Sequence, residues 1–271
     1  MSRLTPCFDA LRSSGRKAVI PYIVAGDPTV ASTVPMLHRL VAAGADVLEL
    51  GVPFSDPMSE GPVIQRGHER ALANSVSLTQ VLAMVVEFRQ QDQTTPVVIM
   101  GYANPVERMG YAQFASECAA AGVDGLITVD LPPEEVGPLN AELQKVEIDN
   151  IFLISPTTPA QRIGTITANA SGFIYYVAVK GVTGAGHLDS KDVGMHLDLI
   201  RAETALPICV GFGIKDAESA TSVGAMADGV VVGSALIDTM TVAMESGSSL
   251  DVGVEKAVTL LGSIRSGIDN M

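Results

Sequence analysis

The sequence is poor in several residue types, and each shortage narrows the possible functions. Tryptophan is absent, aromatic residues make up 4% of the chain, and 17 lysines and arginines stand against 30 aspartates and glutamates. The resulting net charge of −13 argues against a nucleic-acid-binding protein, because such proteins neutralise phosphates with clustered basic residues. An anionic ligand would therefore have to be held locally, by backbone N–H groups and helix ends.

Cysteine and long apolar runs are also scarce. The three cysteines (Cys7, Cys118 and Cys209) and the four histidines are scattered, so they form neither a disulfide framework nor the spacing of a metal site. No apolar run approaches the roughly 20 residues of a membrane-spanning helix. The chain does not open with a basic and then apolar leader, so a signal peptide is not expected. These features predict a reduced, cytoplasmic protein without a bound metal.

One short pattern recurs along the chain. The stretches "AAGADVLELG" (42–51), "AAGVDGLITVD" (120–130) and "GAMADGVVVGS" (224–234) each combine an alanine-rich helix end, a small residue, an aspartate and a β-branched run. This layout is typical of a helix followed by a buried parallel strand. Further apolar runs of the same kind occupy residues 18–28, 96–102, 150–155, 172–179 and 207–213.

Eight such strands, separated by helix-length segments, predict a (β/α)8 TIM barrel in which residues 1–271 form a single domain. A doubly wound open sheet is the alternative, although such a sheet rarely has eight similar strands. Two connections are unusual and are expected to carry function. Residues 53–75 form a long loop after the second strand, before a helix over 77–91, and the glycine-rich residues 180–190 after the sixth strand resemble a lid.

Active sites of TIM barrels lie at the C-terminal ends of the strands, and the second strand ends in Glu49. A carboxyl group buried there has a raised pKa and can exchange protons near neutral pH. The alternative is an ion pair that closes the barrel. Asp56 and Glu60 in the following loop are possible second carboxylates, although Asp56 precedes Pro57 and a turn also explains it.

The last two strands end in glycine-rich turns that open helices. "GFG" (211–213) and "GSA" (233–235) predict a phosphate site, because glycine permits close approach and helix N-termini offer free N–H groups. The alternative is that Gly211, Gly213 and Gly233 only make tight turns. Lys180, at the end of the sixth strand, could instead form a Schiff base with a carbonyl substrate, but side-chain alternation along that strand turns it away from the interior.

Aromatic and apolar residues at strand ends could form a substrate pocket. The candidates are Tyr22, Tyr102 and Tyr175, with Ile64 and Leu126 as apolar wall. Simple core packing is the alternative for all of them, and for Leu126 it is the favoured one.

Taken together, these residues resemble the tryptophan synthase α subunit family over essentially the whole chain. The stretches that carry the resemblance are "IPYIVAGDP" (20–28), "GADVLELGVPFSDP" (44–57), "GPVIQ" (61–65), "NPVERMG" (104–110), "AGVDGLITVDLPPEE" (121–135), "KGVTGA" (180–185), "GFGI" (211–214) and "VVGSA" (231–235). The resemblance implies retro-aldol cleavage of indole-3-glycerol phosphate to indole and glyceraldehyde 3-phosphate. It also implies an α2β2 heterotetramer with a β subunit that binds pyridoxal phosphate, and no cofactor in this chain.

The resemblance also implies roles for individual residues. Glu49 matches the family's acid/base, and Glu60 matches the carboxylate that meets the indole N–H. Asp56 and Pro57 match the loop that contacts the β subunit. Residues that match the family's pocket, lid and phosphate site are Tyr102, Tyr175, Thr183, Gly184, Gly213, Gly233 and Ser234.

Glu60 departs from the family, in which aspartate is usual at this place. The intrinsic pKa changes little, from about 3.9 to about 4.3. The extra methylene moves the carboxylate by more than ~1 Å, and such a displacement can cost about 100-fold in rate. We expect Glu60 still to pair with the indole nitrogen, with activity reduced or rebalanced unless the loop shifts.

Three functions remain open at this point. The chain is a lyase subunit, a catalytically weak subunit that chiefly binds and activates a partner, or another phosphate-binding barrel such as a sugar-phosphate isomerase or Schiff-base aldolase.

Overall fold

The computed structural model describes residues 2–178, 190–211 and 213–271, the side chains of 190 and 191 excepted. Eight parallel strands pair in chain order, and β8 closes the circle by pairing with β1. The predicted (β/α)8 barrel is therefore confirmed, whereas the assignment of the entire chain to one domain stays a prediction. The strands are β1 Ala18–Val24, β2 Leu48–Gly51, β3 Val97–Gly101, β4 Gly125–Thr128, β5 Asp149–Ile154, β6 Ile174–Val177, β7 Ile208–Gly211 and β8 Gly229–Val232.

Helices surround the barrel and follow the strands. Those of the described residues are α1 Leu4–Ser13, α2 Val30–Ala42, α3 Pro62–Ala73, α4 Leu78–Arg89, α5 Ala103–Met109, α6 Tyr111–Ala121, α7 Gly137–Lys145, α8 Ala160–Asn169, α9 Ser190–Arg201, α10 Ala217–Gly224, α11 Ser234–Glu245 and α12 Leu250–Asp269. In the part of the chain that is described, no single helix is long and apolar enough to cross a membrane. Helices α3 and α4 together are long and apolar enough for a membrane span by length and composition alone, but they meet at an angle of 93°.

Side chains alternate strictly along the strands, which sorts the apolar residues into two cores. One core lies between the strands and the helices, and the other fills the barrel. Helix α1 closes the N-terminal end of the barrel, where the ring of Phe8 lies 5.7 Å from that of Phe173. The barrel interior is thus packed with apolar side chains at its floor, while Glu49 lies toward the opposite, C-terminal mouth.

The aspartates of the recurring pattern explain why that pattern repeats. Each lies in the turn before a strand, and its carboxylate accepts a hydrogen bond from a backbone N–H of the preceding strand. The contacts join Asp46 to Val19 at 2.8 Å, Asp124 to Val97 at 2.8 Å and Asp228 to Ile208 at 2.9 Å. The pattern therefore fixes the register of neighbouring strands at the end of the barrel remote from the mouth.

The long connection after β2 differs from its prediction as a loop. Its second half forms α3, which begins at Pro62 directly after Gly61, so only residues 52–61 cross the mouth without helical structure. Proline fits the first turn of a helix because the N–H it lacks would have no helical acceptor there. The helix predicted over 77–91 is present as α4, and its first residue follows Ser77, whose N–H donates to the side chain of Gln80 at 2.8 Å.

Candidate active site

Glu49 lies inside the barrel, near the C-terminal end of β2. Its Cα is in register with that of Tyr22 on one side and that of Val98 on the other. The residue is 1% exposed, and neither carboxylate oxygen has a hydrogen-bond partner among the described residues. The ion pair considered as an alternative for Glu49 is therefore not found among those residues.

This enclosure sets the ionisation of Glu49. Loss of hydration, and secondarily the nearby Glu60 carboxylate, raise the pKa of Glu49 from 4.5 to about 8. The group thus exchanges its proton close to neutral pH. A proton donor that becomes a base after one transfer is what general acid–base catalysis requires.

Glu60 reaches the mouth from the loop after β2 and is anchored by Tyr102. The hydroxyl of Tyr102 donates a hydrogen bond to Oε2 of Glu60 and accepts one from the N–H of Ser59, at 3.1 Å. The Tyr102 ring also stacks on Phe54, with 4.8 Å between the ring centroids. Burial raises the pKa of Glu60, and the hydrogen bond from Tyr102 opposes that rise. The tyrosine thus holds the loop and its carboxylate together.

Two further tyrosines point into the mouth, and each lies over a glycine. A Cβ atom on Gly51 would lie 2.3 Å from the hydroxyl oxygen of Tyr22, and one on Gly211 would lie 2.1 Å from that of Tyr175. Any larger residue at these two positions would displace the phenol. Both tyrosines belong to the interior of the barrel and are close enough to Glu49 for its charge to affect their hydroxyls. Their role in binding a substrate stays a prediction.

The turns after β7 and β8 also open at this end. Gly213 has a φ of +77°, a conformation that favours glycine, and it is exposed. Gly233 precedes α11, which starts at the exposed Ser234. The N–H groups in the first turn of α11 are oriented for an anion, so Gly213, Gly233 and Ser234 stay candidates for a phosphate site.

The structure corrects the position of one predicted pocket residue. Leu126 lies on the outer side of β4, between the sheet and the helices, together with Ile99 and Phe114. Its neighbour Ile127 belongs to the barrel interior. Successive side chains of a strand point to opposite faces, so a shift of one residue moves a side chain from the wall of the barrel interior to the core between the sheet and the helices. Ile64 of α3 packs against the interior group, as suggested from the sequence.

The loop tip that precedes Glu60 faces solvent. Asp56 is exposed, accepts a hydrogen bond from Ser55 at 2.6 Å, and its carbonyl oxygen accepts one from the N–H of Met58 at 2.8 Å. Pro57 is half-buried, whereas Met58 is 77% exposed. An apolar side chain so exposed at the rim of the mouth is consistent with a contact surface.

Some predicted residues cannot be placed in this way. Thr183, Gly184 and Lys180 lie outside the described residues. Among the described residues, no group of three or more histidine, cysteine, aspartate or glutamate side chains could hold a metal ion.

Sequence reasoning missed His68, which lies in α3 and is 2% exposed. Its ring contacts both Tyr22 and the backbone of Phe54. No local signal marks this histidine, since α3 itself was predicted as loop.

Comparison with known proteins shows which family the chain belongs to. A family model described as "Tryptophan synthase alpha chain" matches residues 8–261. The chain belongs to the tryptophan synthase alpha chain family.

Individual members of this family are similar to the chain over its full length. The tryptophan synthase alpha chain of Nitrosococcus oceani is 54% identical over 269 residues, which are 99% of this chain and 98% of that one. The crystal structure of tryptophan synthase subunit alpha from Legionella pneumophila str. Paris has a TM-score of 0.92 at 45% identity and covers 100% of both chains. A chain in a ligand-free crystal structure of tryptophan synthase from M. tuberculosis has a TM-score of 0.87 at 34% identity, covering 99% of each chain.

The raised pKa of Glu49 predicts a pH-dependent cost in stability. Between pH 4.5 and about 8 the unfolded chain ionises Glu49 while the folded chain keeps it protonated, so the contribution of this group to stability falls as the pH rises. We expect Glu49→Gln, which cannot ionise, to gain a few kcal/mol in free energy of unfolding relative to the original chain between about pH 5 and about pH 8.5.

Urea unfolding followed by circular dichroism at several pH values measures this difference. A difference that stays constant across the range would show that Glu49 ionises at its ordinary pKa. In protein labelled with carbon-13 at the glutamate carboxyl, the resonance that titrates near pH 8 should be missing from Glu49→Gln.

Proposed function

We infer that this chain is the α subunit of a tryptophan synthase and cleaves indole-3-glycerol phosphate to indole and glyceraldehyde 3-phosphate. It is thus an enzyme, a carbon–carbon lyase that works by a retro-aldol step. The observation that carries the inference is a buried Glu49, without a hydrogen-bond partner in the described part of the chain and with a pKa raised to about 8, in a barrel that the family model matches. A proton donor inside a chamber lined with tyrosines suits a reaction that starts by protonating an aromatic ring.

The chemistry requires a proton donor at C3 of the indole ring. Protonation at C3 interrupts the aromatic system and gives an indolenine, which can accept the electron pair of the bond to the side chain. We assign this donation to Glu49, whose pKa near 8 keeps the proton available at neutral pH. After donation, the Glu49 carboxylate accepts the proton of the adjacent side-chain hydroxyl. The carbonyl then forms, the C3 bond breaks and its electron pair returns to the ring, so that the proton count balances.

Glu60 supplies the second carboxylate of this mechanism. It receives the proton of the ring nitrogen as the indolenine forms and returns it when indole is released. Tyr102 holds the free carboxylate at the mouth through its hydroxyl, so the group is already on the substrate side of the loop. A carboxylate fixed before binding reduces the ordering that the reaction must impose.

The phosphate of the substrate is assigned to the turns after β7 and β8. Gly213, Gly233 and Ser234, with Gly184 beyond the described residues, supply backbone N–H groups and a hydroxyl. This local cradle suits a protein whose net charge is −13 and which attracts no anion through its overall field. The indole ring is assigned to the space among Tyr22, Tyr102, Tyr175 and Ile127, and Thr183 is assigned to the lid.

The partner of this chain is proposed to be a tryptophan synthase β subunit in an α2β2 assembly. Support comes from membership of the family and from the similarity to a chain of the M. tuberculosis tryptophan synthase structure. The β subunit would bind pyridoxal phosphate and consume the indole, whereas this chain would act without a cofactor of its own, in the cytoplasm. Asp56, Pro57 and the exposed Met58 at the rim are the proposed contact residues.

Glu49→Gln tests the function directly. The amide keeps the shape of the side chain but cannot donate and then accept a proton, so we expect the rate of indole release from indole-3-glycerol phosphate to fall about 100-fold to 10,000-fold. The assay is run with and without the β subunit. Glu87→Gln, at an exposed position of α4, serves as the control and should retain activity. No indole from the original chain, even with the β subunit present, would refute the proposed function.

Glu60→Asp tests the effect of the extra methylene. We expect the shorter side chain to release indole faster, by up to about 100-fold, because a misplacement of ~1 Å can cost that much. Unchanged or lower release would show instead that Tyr102 places the longer carboxylate correctly in this chain.

Met58→Asp tests the partner surface. Placing a charge where an apolar side chain is buried on assembly should weaken binding of the β subunit about tenfold or more. Titration calorimetry measures the affinity, and light scattering gives the mass of the complex and hence the proposed α2β2 stoichiometry. The control is Met195→Asp, because Met195 of α9 is also well exposed, at 61%. Equal loss in both variants would mean that the loop after β2 is not the contact.

A further inference from the structure

His68 joins the wall of the barrel to the loop that carries Glu60. It projects from α3, and its Nε2 lies 3.4 Å from the hydroxyl oxygen of Tyr22 on β1. On the other side of the ring, Nδ1 accepts a hydrogen bond from the backbone N–H of Phe54 at 3.1 Å. Both contacts lie beneath the surface, since His68 is 2% and Tyr22 is 4% exposed.

The two contacts together determine where each proton lies. A backbone N–H can only donate, so Nδ1 of His68 must present its lone pair to Phe54. Burial lowers the pKa of His68 to about 4, and the neutral ring therefore carries its single proton on Nε2. Nε2–H then donates to the Tyr22 hydroxyl oxygen, which leaves the hydroxyl proton of Tyr22 free to be donated elsewhere.

The position of Tyr22 shows where that proton can go. Its ring runs beside Gly233, where an added Cβ would lie 3.2 Å from Cδ1, and its hydroxyl ends over Gly51. One end of the side chain is thus next to the proposed phosphate turn and the other is in the chamber of Glu49. Burial, and next the carboxylates of Glu60 and Glu49, raise the pKa of Tyr22, so the hydroxyl keeps its proton. Among the described residues this proton has no hydrogen-bond acceptor.

We propose that Tyr22, oriented by His68, donates a hydrogen bond to a hydroxyl group of the three-carbon chain of the substrate. Tyr22 is then a specificity-determining residue, and His68 is a positioning residue that acts through it. The inference rests on the proposed function, since it concerns the same substrate. The structural basis is that the Tyr22 side chain extends from Gly233, at the proposed phosphate site, to the chamber of Glu49. The hydroxylated carbons of the substrate lie between its phosphate and its indole ring, and therefore beside Tyr22.

A role in packing alone is the competing explanation, because 3.4 Å is long for a hydrogen bond between oxygen and nitrogen. The two explanations differ in one respect. A packing role affects every ligand of the chamber, whereas a hydrogen bond to a hydroxyl affects only ligands that carry it.

The test compares two ligands and two substitutions. The ligands are indole-3-glycerol phosphate and its deoxy analogue, in which a propyl chain replaces the glycerol chain and both hydroxyls are missing. Tyr22→Phe removes only the hydroxyl. His68→Asn keeps an acceptor close to the position of Nδ1 for the Phe54 N–H but removes the donor to Tyr22.

We expect Tyr22→Phe to lower kcat/KM for the natural substrate about tenfold, in line with the loss of one buried hydrogen bond. Affinity for the deoxy analogue, measured by calorimetry, should change less than about twofold, which also shows that the variant is folded. His68→Asn should lower kcat/KM about threefold or more in the original chain, yet have almost no further effect in the Tyr22→Phe background, because the two residues act as one unit.

Three results would overturn the proposal. They are an unchanged kcat/KM in Tyr22→Phe, an equal loss of affinity for both ligands, and an undiminished effect of His68→Asn when Tyr22 is already phenylalanine. Failure of the original chain to cleave indole-3-glycerol phosphate would count against the proposed function itself, and it is established before any variant is compared.

Discussion

A carboxyl group enclosed by protein and given no hydrogen-bond partner among the described residues is the constraint around which this barrel mouth is arranged. Water would hydrate Glu49 and return its pKa to the ordinary range, so the side chains around it must exclude water while leaving room for a substrate. Tyrosines meet both demands, since their rings are apolar and their hydroxyls remain polar. Space for them comes from glycine, because Tyr22 and Tyr175 occupy the volume that side chains at Gly51 and Gly211 would fill.

The second carboxylate is under a different constraint. Glu60 lies on a segment without regular structure, so its position depends on contacts rather than on strand geometry. Tyr102 supplies them from β3's end, through its hydroxyl and through the stacking of its ring on Phe54. His68 fixes the same segment at the N–H of Phe54. Glu49 is thus placed by strand geometry and Glu60 by contacts of its loop, and the two are coupled, because the Glu60 carboxylate adds to the raised pKa of Glu49.

The sequence predicts the scaffold well because barrel strands are apolar on both faces and are bounded by glycine and aspartate. All eight strands and the place of Glu49 follow from that pattern alone. Which side chains of a strand face the barrel interior depends on the alternation of its residues. An error of one residue reverses the assignment, and for this reason Leu126 was predicted to line the pocket although Ile127 faces the interior. Helix α3 was missed because prolines and glycines just before it signal a loop. His68, which lies in α3, could not be predicted for the same reason. Its partners Phe54 and Tyr22 are 14 and 46 residues away in the sequence, so no local pattern indicates these contacts.

Closure of the barrel floor by α1 governs the movement of molecules through the protein. Phe8 packs against Phe173 beneath the strands, so the chamber resembles a cup rather than a tube. Among the described residues the floor is packed, and the C-terminal rim, which carries the exposed Met58, is the side from which a ligand reaches Glu49. If the β subunit docks on this rim, as proposed above, it would receive the indole before the indole reaches bulk water.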